Sequence, residues 1–129
     1  MNNNEIEQEP ENFNGAVGQF KMDASLLNKS IAANDNATLR ITIQGKGNLP
    51  MITVPTISWP TGVDSFDAKL SEQIDKQSSP ISGSKTFDIP FSVSATGLFQ
   101  IPSIRFSYFD EQTKTYHTLS SDSLQLNVT

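Results

Sequence analysis

The chain has 129 residues, 36% hydrophobic and 18% charged, with no cysteine and a single histidine, His117. That is the size of one domain with enough apolar material for a core, and it excludes disulfide frameworks, thiolate metal sites, iron–sulfur clusters and thiol nucleophiles. A net charge of −5 and a pI near 4.6 argue against nucleic acid and anionic membrane surfaces as partners.

The first twenty residues hold Glu5, Glu7, Glu9 and Glu11 and no basic residue, so they carry −4 and leave −1 for the other 109. Residues 1–14 also contain five asparagines and only Ile6 and Phe13 as large apolar side chains. Such a stretch cannot bury enough surface to offset its ordering entropy. It also lacks the basic start and apolar centre of a signal peptide. Residues 1–16 therefore read as a disordered linker, implying a piece of a longer protein, and residues 17–129 as the domain.

From Gly18 onward the pattern is period-two alternation, which marks half-buried strands. Phe20, Met22 and Ala24 alternate with polar neighbours, as do Leu39, Ile41 and Ile43. Phe87, Ile89, Phe91 and Val93 form a third run and Leu124, Leu126 and Val128 another. Leu39, Ile41, Ile43, Phe87, Ile89, Phe91, Phe106, Leu124 and Leu126 are the expected core. Pro90 sits on the polar phase of its run, so an edge position is expected there. The apolar phase flips after Pro55, from Ile52 and Val54 to Ile57 and Trp59. It flips again after Pro102, from Phe99 and Ile101 to Ile104, Phe106 and Tyr108. A one-residue slip reverses every side chain, so each proline calls for a bulge or a change of sheet. Phe66, Leu70 and Ile74 have helical spacing, but their stretch is polar and has no clear cap.

Turns are expected at 34–36, 45–48, 59–62, 82–84 and 110–114, where Gly, Asn, Asp and Pro cluster. Seven to eight short strands separated in this way indicate an all-β fold, an immunoglobulin-like antiparallel β-sandwich.

Chemical motifs are weak. Gly45-Lys46-Gly47 completes no phosphate loop. Ser82 and Lys85 fit S-x-x-K, but the strand that follows separates them. His117 and Asp122 have no nucleophile elbow beside them. Asn34-Asp35-Asn36 and Asp110-Glu111 could offer oxygens to calcium, yet turn chemistry explains both. No catalytic residue, metal site or cofactor is expected. Trp59, Tyr108, Phe109 and Tyr116 could stack on sugars, which leaves a carbohydrate-binding or adhesin module as the alternative function.

Several segments together resemble the BatD-type oxygen-tolerance (aerotolerance) family. They are Gly45-Lys46-Gly47-Asn48-Leu49-Pro50, Gly83-Ser84-Lys85-Thr86-Phe87, and Gly97-Leu98-Phe99-Gln100-Ile101-Pro102. The run Ile104-Arg105-Phe106-Ser107-Tyr108-Phe109-Asp110, with Tyr116 closing the hairpin, follows in the same order, and Val17-Gly18-Gln19-Phe20 resembles the start of such a unit. The resemblance covers about residues 16–129. It implies an excised domain of an anchored envelope protein, with tandem β-sandwich domains on the periplasmic side of the bacterial inner membrane. It supplies no catalytic residues, so the expected role is a non-enzymatic protein-interaction or spacer module without membrane contact of its own.

The same resemblance implies membrane proteins with von Willebrand factor A domains as partners. An intact metal site of that kind holds Mg²⁺ with an open position suited to a carboxylate. Asp110 and Glu111, at a turn between two strand runs, are the candidate acids, with Phe109 as an apolar contact beside them.

Overall fold

The computed structural model describes residues 13–129. Within them run ten strands, β1 (Phe13–Leu26), β2 (Ser30–Ile31), β3 (Asn36–Gly47), β4 (Val63–Ser65), β5 (Lys69–Asp75), β6 (Ser82–Val93), β7 (Gly97–Ile101), β8 (Arg105–Asp110), β9 (Thr115–Ser120) and β10 (Leu124–Val128). One turn of 3-10 helix spans Leu49–Met51. The fold is the expected all-β sandwich. The strand number exceeds the expected seven to eight because β2 and β4 are very short and the β7–β8 and β9–β10 runs are each interrupted. No helix among the described residues is long and apolar enough to cross a membrane.

One sheet runs β4/β5–β6–β3–β1 and continues through β1 to β8 and β9, while β2, β10 and β7 form a three-stranded sheet. Strand β1 makes this continuity. Its first part lies parallel to β8, with Phe13 opposite Ser107 and Val17 opposite Phe109. From Gly18 to Leu26 it pairs antiparallel with β3 instead. Residues 1–12, which hold most of the expected linker, lie outside the described residues. The boundary at residue 16 moves, however, because β1 begins at Phe13 and Ala16 is buried in the core.

Strands β7–β8 and β9–β10 are two halves of one long hairpin. Ile101 pairs with Leu124 and Arg105 with Ser120, so a single register holds across the gap. The gap is bridged by Ser121 N–H donating to the Ile104 carbonyl at 2.9 Å and Ile104 N–H donating to Ser121 Oγ at 2.8 Å. Ile101 and Ile104 are both buried with Pro102 and Ser103 exposed between them. The phase change expected at Pro102 is therefore real, and it bends the ribbon without a register slip.

At Pro55 the outcome differs. Residues 52–60 form no strand and cross the inner face of β6 as irregular chain. Trp59 packs on Phe91, with ring centroids 4.9 Å apart. Pro55 and Pro60 lack the N–H groups that a ladder needs, so alternation alone does not make a strand here.

Two further expectations are corrected. Gly45–Gly47 and Ser82–Ser84 are strand, not turn: Gly45 pairs with both Phe20 and Gly83 inside the sheet. Pro90 is not on an edge strand, since β6 has β3 on one side and β4/β5 on the other. Its carbonyl accepts from Phe66 N–H at 2.9 Å, so its missing N–H faces the side where β4 ends and β5 has not begun. The outer strand is thus split opposite the proline that cannot donate to it. The segment with helical spacing is strand β5, because it completes the ladder along β6.

The core follows the predicted phase. Leu39, Ile41, Ile43, Phe91 and Leu126 are fully buried, Phe87, Ile89 and Phe106 nearly so, and Leu124 packs at the margin.

Candidate functional site

At one end of the sandwich the turn after β8 meets β1, the glycine-rich end of β3 and the start of β6. An open groove of about 610 Å³ lies there, lined by Phe20, Lys21, Gln44, Ser82, Tyr108 and Asp110 among others. A second of about 510 Å³, bounded by Val17, Asn48, Pro80, Ile81, Glu111 and Gln112, adjoins it and shares Gln19, Lys46 and Asp110.

The local backbone makes this end open. Gly18 on β1 pairs with Gly47 on β3, and both adopt positive φ, 143° and 142°. A Cβ on Gly18 would come within 2.1 Å of the Lys46 carbonyl oxygen, and one on Gly47 equally close to that of Val17. Only glycine fits at either position. The strands can therefore twist sharply at the point where β1 leaves β3 for β8.

Asn48 holds that switch. Its Oδ1 accepts from Val17 N–H at 2.7 Å, its Nδ2 donates to the Gly15 carbonyl at 2.8 Å, and its own N–H donates to the Val17 carbonyl at 3.0 Å. The side chain thus extends the ladder by two bonds where the backbone of β3 has turned away. In the sequence Asn48 reads as a turn residue. The asparagine directly after Gly-x-Gly was the available signal.

Asp110 does not project. It is 7% exposed, and its Oδ1 accepts from Gln112 N–H at 2.9 Å while its carbonyl accepts from Lys114 N–H at 2.7 Å. Lys114 closes the turn with φ of 57°. Asp110 is therefore committed to forming the turn, the ordinary role of an Asp at this position. Glu111 is exposed on the groove rim. Gln112 reaches across to β1, where its Oε1 accepts from Gln19 Nε2 at 2.8 Å. Phe109 lies on the outer face, edge-on to Tyr116 at 5.0 Å, and Phe13 meets the same ring at 5.1 Å. The expected trio thus separates into a turn former, an exposed acid and a member of an aromatic cluster.

Tyr108 lines the groove from the inner face. It contacts Phe20 edge-on and stacks on His117 at 5.4 Å. Partial burial, and then the nearby Asp110 charge, push its phenol above the ordinary tyrosine range. His117 Nε2 is 4.0 Å from Asp110 Oδ2 and within hydrogen-bonding distance of the Thr115 hydroxyl.

Residues 24–128 match the family model described as the BatD DUF11 like domain. The chain belongs to the BatD family. No curated protein matches it. BatD membership associates the chain with aerotolerance-related proteins of the bacterial envelope and with a family of non-catalytic structural domains.

The family segments fall on structural joints of this BatD domain. Gly45–Asn48 sits at the sheet switch, Gly97–Pro102 leads into the bend of the long hairpin, and 104–110 is β8 with the end of the bend. Lys85, within the Gly-Ser-Lys-Thr-Phe segment, is buried, and its Nζ donates to the carbonyls of Pro50 at 2.9 Å and Ile52 at 2.8 Å. Ser82 is on the opposite phase of β6, with its hydroxyl 3.0 Å from that of Ser78. The S-x-x-K pair is thus split between two faces of one strand. The four aromatics do not make one platform either. Trp59 packs on Phe91 and Tyr108 faces Phe20, while Phe109 and Tyr116 are together on the outer face.

Proposed function

We propose that this BatD domain is a non-enzymatic protein-interaction or spacer module, acting on the periplasmic side of the inner membrane, and that its binding end is the groove beneath the 110–114 turn. The observation that carries the reading is the joined groove. It lies where β1 passes from β3 to β8, and its floor is backbone of the glycine-bearing strand ends. Its rim offers Lys21, Lys46, Glu111 and Gln112 to a partner. A concave site with a few convergent polar groups is what a partner loop requires.

The partner we favour is a von Willebrand factor A-domain membrane protein. Mg²⁺ with an open position takes a hard oxygen ligand, and Glu111 is an exposed carboxylate lining the groove. Asp110 supports it by fixing the turn, and Phe109 lies on the outer face beside it. The test is binding of the purified domain to such a partner with and without EDTA. Glu111→Ala should abolish metal-dependent binding while leaving the thermal midpoint unchanged. Binding that persists in EDTA and in Glu111→Ala would remove the metal-bridged reading. Lys46→Glu would then test whether the groove is used at all.

A further inference from the structure

Strand β5 pairs with β6 on one side and, among the described residues, has no strand on its other side. Its backbone there is open in a definite pattern. Pro90 on β6 accepts from the β4–β5 side, whereas Ile81 accepts from Gly47 on β3. In an antiparallel ladder the bonded side alternates along each strand. Even-numbered residues of β6 therefore face β5, and they are opposite Lys69, Ser71 and Gln73. The N–H and C=O groups of Leu70, Glu72 and Ile74 consequently point outward from the sheet edge.

The side chains along this edge are unusual for an unprotected strand. Leu70 is 52% exposed and lies opposite the buried Phe87, so it stands on the inner face beyond the reach of the second sheet. Phe66, just before β5, is 53% exposed. The strand contains no proline to block pairing. Its sequence, Lys-Leu-Ser-Glu-Gln-Ile-Asp, is complementary to itself when reversed. About a two-fold axis through Glu72, Leu70 faces Ile74 of the second copy and Lys69 faces its Asp75. Each contact occurs twice. Apolar and opposite-charge pairs directly across a ladder are the stabilising kinds.

We propose that two copies of this domain associate through β5, antiparallel and centred on Glu72, joining their β6-containing sheets into one. The two-fold symmetry makes the patch its own partner, and edge-strand addition is an established mode of recognition. The unfavourable element is the axis itself, where two Glu72 carboxylates meet. Lys85, opposite Glu72 on β6, does not relieve this, because its Nζ is held by the Pro50 and Ile52 carbonyls. The Glu72 pair holds the association to a reversible equilibrium, since a like charge on an exposed edge restrains pairing.

The chain has no cysteine, so a single introduced thiol reports the register directly. Directly opposite bonded residues have Cα atoms about 5.5 Å apart, inside the range of roughly 4.4–6.8 Å that a disulfide spans. Under mild oxidation Glu72→Cys should cross-link to itself much faster than Ser71→Cys or Gln73→Cys, whose equivalents are offset along the strand. In sedimentation Glu72→Gln should tighten the dimer at least several-fold, and Leu70→Lys should abolish it while the exposed site leaves the fold intact. The proposal is overturned if Glu72→Cys cross-links no faster than Gln73→Cys. It is equally overturned if Glu72→Gln remains monomeric at millimolar chain concentration.

Discussion

Arg40 on β3 grips Asp88 on β6 through two hydrogen bonds, Nε to Oδ1 at 2.8 Å and Nη2 to Oδ2 at 3.0 Å. The two residues are direct cross-strand partners on the solvent face. The bond from Arg40 holds the Asp88 carboxyl below the usual carboxylate range. Its stabilisation is thus complete above the unfolded-state value and is lost as the pH falls through the lower folded value. Arg40→Ala, which alternation alone marks as neutral, should lower the thermal midpoint slightly at pH 7. The loss should shrink in salt, as for an exposed pair, and vanish in strong acid. An equal loss at all pH values would show that packing, not charge, is at stake.

Phe91 is fully buried beneath Trp59, and Phe106 meets Phe20 edge-on at 6.0 Å. Phe91→Ala and Phe106→Ala should each cost about 3–5 kcal/mol in denaturant titration. Ser92→Ala, on the opposite phase of β6, should be close to neutral. Phe91→Ala should also change the Trp59 fluorescence of the folded state, which Phe106→Ala should leave alone.

Asn48→Ala removes both side-chain bonds to β1 and should cost about 1–3 kcal/mol, the range for stranding part-buried polar groups. Asn48→Asp should be no better. It keeps an acceptor for Val17 N–H but turns a second oxygen toward the Gly15 carbonyl. Hydrogen exchange at Val17 should accelerate in both variants while exchange in β6 stays slow.

Lys85 ties the 3-10 turn and the residue after it to β6. Lys85→Met fills similar space but leaves the Pro50 and Ile52 carbonyls without their donor. It should therefore destabilise by about 1–3 kcal/mol. Exchange should rise first around Leu49 and Ile52, with β10 unaffected.

Where one face is buried and the other wet, alternation carried the answer, as in 39–43, 87–93 and 124–128. It failed where that contrast is missing. Leu70, Glu72 and Ile74 share one face of β5, and only Ile74 is partly covered, so the strand had no continuous buried phase to display. Gly45, Gly47 and Gly83 looked like turn residues because glycine is the commonest turn former. Their positive φ is used inside a twisted ladder instead. At the candidate site the turn at 110–114 was legible from Asp110 and its neighbours. That Asp110 is buried depends on β1 and β9 packing around it, a long-range arrangement that local spacing does not encode.

Because β1 pairs with β3 along one part and with β8 along another, the order in which this domain can assemble is constrained. The ladder of β1, β3 and β6 is available once residue 93 has left the ribosome. The first five residues of β1 must wait for β8, roughly ninety positions later in the chain. Contacts so distant in sequence close slowly. The last event in folding should therefore be the docking of the long β7–β10 hairpin onto the waiting end of β1, with the preceding species exposing Ala16 and Phe20.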